Sequence, residues 1–122
     1  MKDFREYYKF PLRYDGHCYI WTADNRMAFT CLCPDDLAET LVKVLNGELH
    51  IRNNAENNNG IIYLEGRRVL MTRGWGMLTG VGGWHLSHEE AIKVQEEFAN
   101  YCVALLRGNV IRASNLYICE PF

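Results

Sequence analysis

The chain lacks any apolar run close to the ~20 residues that a membrane-spanning helix needs, so no membrane role is expected of it. It lacks a surplus of basic charge. Thirteen Lys and Arg against 15 Asp and Glu give a net charge of -2 and a pI near 6.1, which argues against a binder of duplex nucleic acid, since that would carry a basic footprint. A small anion held by a few local arginines stays compatible with this balance. The first residues, Met1 to Glu6, run straight into charged and aromatic side chains with no apolar segment of a secretory leader. The five cysteines, Cys18, Cys31, Cys33, Cys102 and Cys119, are odd in number. A reduced cytoplasmic protein with buried thiols is therefore expected. Cys31-x-Cys33 with His17 fits no common zinc spacing, and neither a metal nor another cofactor is expected. Common catalytic signatures are also missing: no Gly-x-Ser-x-Gly elbow, no His-Glu-x-x-His helix and no Gly-x-x-x-x-Gly-Lys-Ser/Thr loop.

What is present is the material of one domain. The 122 residues are 48% hydrophobic and 23% charged, enough for a hydrophobic core. Residues 1–16 form an aromatic lead-in (Phe4, Tyr7, Tyr8, Phe10, Tyr14), read as an extended arm or edge strand because Pro11 prevents a long helix. A hairpin follows around Asp24-Asn25, with Ile20 opposite Phe29 and Cys18 opposite Cys31. Trp21 then falls on the other face near Ala28, with Arg26 close to the turn. It is either a platform for a flat ring or packing for the arm or a second subunit. Pro34-Asp35-Asp36 opens a first helix, with Leu37, Leu41, Val44 and Leu45 on one face and Asn46-Gly47 as its stop. The asparagine-rich residues 48–60 read as a surface loop. A second hairpin places Ile61–Leu64 and Arg67–Thr72 around Glu65-Gly66.

The main helix begins at Ser87, with Glu90 completing a capping box. It carries Ala91, Val94, Phe98, Tyr101, Cys102 and Leu105 as one stripe and runs to about Arg107, with Gly108 as its stop. The tail, residues 109–119, reads as a turn and a strand that closes the protein's own sheet or adds to that of a neighbouring copy. The fold class expected is α+β: an antiparallel sheet from two hairpins plus a C-terminal strand, with two helices packed on one face, in the order ββαββαβ. The two strand–strand–helix units look like a loose internal duplication.

Between the second hairpin and the main helix lies Arg73-Gly74-Trp75-Gly76-Met77-Leu78-Thr79-Gly80-Val81-Gly82-Gly83-Trp84-His85-Leu86, with five of the ten glycines and two of the three tryptophans. Glycine is costly in backbone entropy, so such a cluster serves either tight turns or close approach of backbone to a ligand. Amides at Gly80, Gly82 and Gly83, together with the positive end of the main helix, suit a phosphate. Arg73 can add a bidentate clamp. Trp21, Trp75 and Trp84 suit stacking on purine faces, worth roughly 1–3 kcal/mol per base. Thr79, His85 and Arg26 complete the candidate ligand-binding set. Arg107 and Arg112 could reach a pocket formed with a partner chain. Ser87 is explained as a cap rather than a nucleophile, and His85 has no identifiable partner for acid–base work, so no catalytic residue is assigned.

The run Arg73-Gly74-Trp75-Gly76-x-Leu78-Thr79-Gly80-x-Gly82-Gly83, followed by Ala91-x-x-Val94-Gln95-x-x-Phe98, resembles small proteins of phages and prophages of gut bacteria. So does the front hairpin, with Asp24-Asn25 and Met27-Ala28, leading to Asp36-x-x-Ala38 and Asn46-Gly47. Size, order of elements and lack of catalytic motifs are similar to the phage anti-Thoeris sponge family. Those proteins sequester the cyclic ADP-ribose isomers of Thoeris immunity, and some hold the cyclic oligonucleotides of CBASS immunity. The resemblance implies a non-enzymatic anti-defence sponge for a small cyclic nucleotide, acting in the cytoplasm of a bacterial host. It also implies a homodimer or higher homo-oligomer with pockets near subunit contacts. It carries over no individual residue. Two alternatives stand beside it: a protein–protein inhibitor whose arm and tail aromatics form the interface, and a small nucleotide hydrolase using His85.

Overall fold

The computed structural model describes residues 3–80, 84–108, 110–113 and 116–119. Six strands form one antiparallel sheet: β1 (Arg13–Tyr14), β2 (Tyr19–Trp21), β3 (Met27–Cys31), β4 (Ala55–Asn58), β5 (Ile61–Leu64) and β6 (Arg67–Thr72). Their spatial order is β1-β2-β3-β6-β5-β4. Three α-helices accompany them among the described residues: α1 (Asp35–Leu45), α2 (Trp75–Thr79) and α3 (His88–Leu106). The α+β class expected from the residue pattern is what the chain forms. The strand order reads alike from both edges. Each half is a three-stranded meander leading to a long helix, and the halves join where β3 pairs with β6 through Phe29↔Thr72, Thr30↔Met71 and Cys31↔Leu70.

The local signals explain most boundaries. Glu65 and Gly66 both take positive φ, 51° and 79°, the geometry a two-residue hairpin turn needs. Asn59 and Gly60, at 52° and 88°, do the same between β4 and β5. The expected loop over residues 48–60 is therefore corrected: its second half is an edge strand. Ala-Glu-Asn-Asn is poor strand material, and β4 is held by what surrounds it. Ala55↔Leu64 through Asn58↔Ile61 pair it to β5, and Asn57 Nδ2 donates to Asn100 Oδ1 of α3 at 3.0 Å.

In the first hairpin Ile20 faces Phe29 as expected, but a register shift after Ile20 sets Trp21 opposite Met27 rather than near Ala28. The turn is also wider than Asp24-Asn25 alone, because the Thr22 N–H donates to Arg26 O at 2.7 Å. The C-terminal segment departs further. Val110–Ala113 (β7) and Leu116–Cys119 (β8) pair with each other as a separate two-stranded sheet, so neither described strand of the tail joins the main sheet.

The core is built on α3. Phe98 is fully buried, sandwiched between Tyr8, whose ring stacks on it at 3.9 Å and 4°, and Phe29 of β3 at 5.1 Å. Phe4 and Phe10 meet the same ring at 6.1 Å. The arm is thus core: Phe4, Tyr7 and Tyr8 are all buried. Its polar backbone is fastened to α1, beyond whose last turn Asn46 both accepts from the Leu12 N–H and donates to the Leu12 carbonyl, each at 2.8 Å. At the other end of α1 the Tyr14 hydroxyl donates to Asp35 Oδ1 at 2.5 Å. The predicted capping box is present, with the Glu90 N–H on Ser87 Oγ and the Ser87 N–H on Glu90 Oε1, both at 3.2 Å. Gly108 ends α3 at φ 79°. Among the described residues no helix is long and apolar enough to cross a membrane.

Candidate ligand-binding site

The site begins where β6 ends. The Arg73 N–H donates to Ala28 O at 2.8 Å, and the Arg73 carbonyl accepts from the Tyr8 hydroxyl at 2.7 Å. The backbone of Arg73 is therefore held from both sides while its side chain stays exposed. Burial pushes the Tyr8 phenol well above its ordinary range, opposed by a weaker side-chain hydrogen bond with Gln95, so this donor keeps its proton at any working pH.

The next residue must turn the chain beneath that hydroxyl. Gly74 does so at φ 114°, and a Cβ there would stand 2.7 Å from Tyr8 Oη. Both the conformation and the close approach call for glycine. Released in this direction, the chain forms α2, a short helix within the glycine-rich stretch. Glycine at Gly76 disfavours helix, but Leu78, fully buried, anchors it to the core. Its N–H bonds Gly74 O at 2.9 Å.

With Leu78 inward, Trp75 points outward. Its side chain is 38% exposed and meets the His88 ring of α3 edge-on at 4.9 Å and 78°. Beside it opens a cavity of about 610 Å³, within the roughly 300–1,000 Å³ usual for small-molecule sites. Arg73, Gly74, Trp75, Gly76 and Met77 form one wall, and Met27, Thr72 and Gln95 the rest. These side chains supply one guanidinium, one indole, two polarizable thioethers, one amide and one hydroxyl. The Thr72 hydroxyl already donates to Gly60 O at 3.0 Å. A planar anionic ligand suits such a lining: the guanidinium can grip a phosphate bidentately, and the indole and thioethers can pack on a ring.

Of the candidates read from the sequence, Arg73 and Trp75 share this cavity, and seven others are placed differently. Trp21 lies at the β1–β2 side of the sheet, its indole N–H donating to Asp15 Oδ2 at 2.8 Å and its ring 5.8 Å from the Arg13 guanidinium. Trp84 packs edge-on against buried Tyr7 at 5.0 Å, and the Arg26 guanidinium covers its ring at 5.5 Å. Arg26 also pairs with Asp24 at 3.4 Å. The Thr79 hydroxyl donates to Trp75 O at 2.8 Å, and the Gly80 N–H to Gly76 O at 3.2 Å, so that amide is engaged within α2. His85 is exposed at φ 54°. Arg107 is a structural clamp, its Nε–H donating to Ala55 O at 2.6 Å and tying the end of α3 to β4. Gly82 and Gly83 lie outside the described residues, as does the side chain of Arg112 in β7.

The positive end of α3 is no phosphate cradle either. Ser87 and Glu90 occupy it, and Glu89 adds a second carboxylate to its first turn, which disfavours an anion there. Six lining residues went unpredicted: Gly74 and Gly76 beside the two candidates, and Met27, Thr72, Met77 and Gln95. The last four come from β3, β6, α2 and α3, and only the folded topology brings them together. Gln95 had one available signal, a polar side chain one residue after Val94 in the core stripe, near the inner edge of the helix.

Two of the thiols, Cys31 and Cys33, are made poor nucleophiles by burial. Burial pushes the Cys31 thiol up to about 12, with Cys33 and Cys18 adding to the effect, and also raises Cys33. Neither supplies a thiolate at neutral pH. No three His, Cys, Asp or Glu side chains among the described residues gather as a metal-binding group. No protein-family model matches the chain, nor does any curated protein or solved structure to a significant degree.

Proposed function

We propose that the protein is a non-enzymatic binder of a small cyclic nucleotide, a phage anti-defence sponge acting by sequestration. The observation that carries this reading is the sharing of one 610 Å³ cavity by Arg73 and Trp75. The two side chains put a phosphate clamp and an aromatic ring within reach of one ligand. Among the described residues lining the cavity there is no carboxylate, imidazole or thiol to serve as general base, which favours holding a ligand over converting it. The burial of Phe4, Tyr7 and Tyr8 counts against an interface built from the arm.

Titration calorimetry of the whole chain against cyclic ADP-ribose isomers and cyclic di- and trinucleotides tests the proposal. One member of the panel is expected to bind, and Arg73→Ala and Trp75→Ala are expected to lose that binding while keeping the fold. A panel without heat signals against folded protein would remove it. Recovery of intact ligand after heating the complex separates a sponge from a hydrolase. Native mass spectrometry reports the subunit number, for which a homodimer or higher oligomer is proposed, and any nucleotide that co-purifies.

A further inference from the structure

At the end of the first hairpin away from its turn, two cysteines stand opposite each other. Tyr19↔Thr30 closes the β2–β3 ladder, and one residue beyond it the Cys31 N–H donates to Cys18 O at 2.6 Å. Directly opposed residues in such a hydrogen-bonded pair have Cα atoms about 5.5 Å apart, inside the roughly 4.4–6.8 Å that a disulfide spans. The two differ in access. Cys31 is buried, whereas Cys18 is the one exposed thiol among the described residues. Cys18 takes φ 75°, a conformation uncommon outside glycine. Its neighbours fix it there, since Asp15 Oδ1 accepts from the His17 N–H at 2.7 Å and from the Tyr19 N–H at 3.2 Å. Burial first, then Cys33 and Cys18, push the Cys31 thiol up, so Cys18 and Cys31 are near enough for the charge of one to act on the other.

We infer that Cys18 and Cys31 form an oxidative modification site, a dithiol that a hydroperoxide converts into a disulfide joining the start of β2 to the end of β3. The Cys18 sulfur attacks one peroxide oxygen. The O–O bond breaks, the sulfur is oxidised by two electrons to a sulfenic acid, and the other oxygen leaves as water. The Cys31 sulfur then attacks the Cys18 sulfur, the S–O bond breaks, and the hydroxyl departs with the Cys31 proton as a second water. Two thiols and one hydrogen peroxide thus give one disulfide and two waters. Burial keeps Cys31 protonated, so Cys18 is the thiol that meets the oxidant and closing is the slow step. The cross-link lies at the opposite end of β3 from Met27 of the cavity wall, and the inference does not depend on the nucleotide-binding reading.

Hydrogen peroxide added to the folded whole chain, with free thiols then blocked and the cysteine peptides mapped by mass spectrometry, tests it. Cys18 is expected to be joined to Cys31 within one chain, and dithiothreitol to restore both thiols. Cys33→Ser should keep this bond. Cys18→Ser, at an exposed position, should abolish it while leaving the circular dichroism spectrum unchanged. Cys31→Ser should stop the reaction at the Cys18 sulfenic acid, which dimedone traps. Cys18 bonded to Cys33, a bond between chains only, or Cys18 oxidised in the wild type while Cys31 stays a free thiol would overturn the inference. So would two free thiols after treatment of the folded protein.

Discussion

The two halves of the sheet reach their helices by different routes. In the first, β3 passes into α1 through Leu32, Cys33 and Pro34 alone; in the second, residues 73–87 lie between β6 and α3. Both deliver a helix that packs against the other, so a short connector is sufficient for this topology. What the long connector adds is α2, the turn at Gly74 and the exposed indole of Trp75. Extra chain beyond what a fold requires is a common place for a binding site, because it can be shaped without disturbing the scaffold. The scaffold here is rigid where the connector leaves it: Tyr8 stacks on Phe98 and holds the Arg73 carbonyl with the same ring's hydroxyl.

That contrast can be broken at the core first. Phe98→Ala removes the ring on which Phe4, Tyr8, Phe10 and Phe29 pack, and a loss of about 3–5 kcal/mol in urea-induced unfolding is expected. Gly74→Ala should come next, at about 2 kcal/mol in the same measurement, from a positive φ and a methyl driven against the Tyr8 hydroxyl. It should also weaken ligand binding, since the corner would have to shift. Ser87→Ala, which removes half of the capping box, should cost about 1 kcal/mol. Trp75→Ala sharpens the comparison most. Stability should change by less than about 0.5 kcal/mol, as for an exposed side chain, while nucleotide affinity falls at least about tenfold.

The smallest effect is one of pH. Hydrogen bonds to the Ser87 side chain, then to its backbone, hold the Glu90 carboxyl below its ordinary value of 4.5. A depressed carboxyl stabilises the fold above its unfolded pKa and loses that contribution as pH falls through the folded one. The cost of Glu90→Gln should therefore be visible in thermal unfolding at neutral pH, begin to shrink as the pH falls below 4.5, and vanish only below the depressed folded value.

Elements with strong local signals were legible in the residues: both β2–β3 and β5–β6, α1 with its Asn46-Gly47 stop, and α3 from the Ser87 cap to Gly108. Those held by tertiary contacts were not. β4 consists of residues that disfavour strands and depends on Asn100 of α3 and on Arg107 just after it for its place. α2 starts after one glycine and contains another, and only the burial of Leu78 explains it. The tail's separate hairpin gave no sign of leaving the main sheet. At the site, Arg73 and Trp75 could be singled out because they are near in sequence and chemically apt. Trp21 and Trp84 were equally apt, yet Asp15 and Tyr7 engage them, and neither partner is visible at that range. Gln95 and Met27 became part of the site only through the packing of α3 and β3 around the corner.

The three indole N–H protons report on three different surroundings, and following them together by NMR during titration with cyclic ADP-ribose isomers and cyclic dinucleotides tests the account most directly. It predicts that the bound ligand moves the Trp75 resonance strongly and leaves that of Trp21, bonded to Asp15, in place. Saturable binding that moves Trp21 while Trp75 stays still would contradict it.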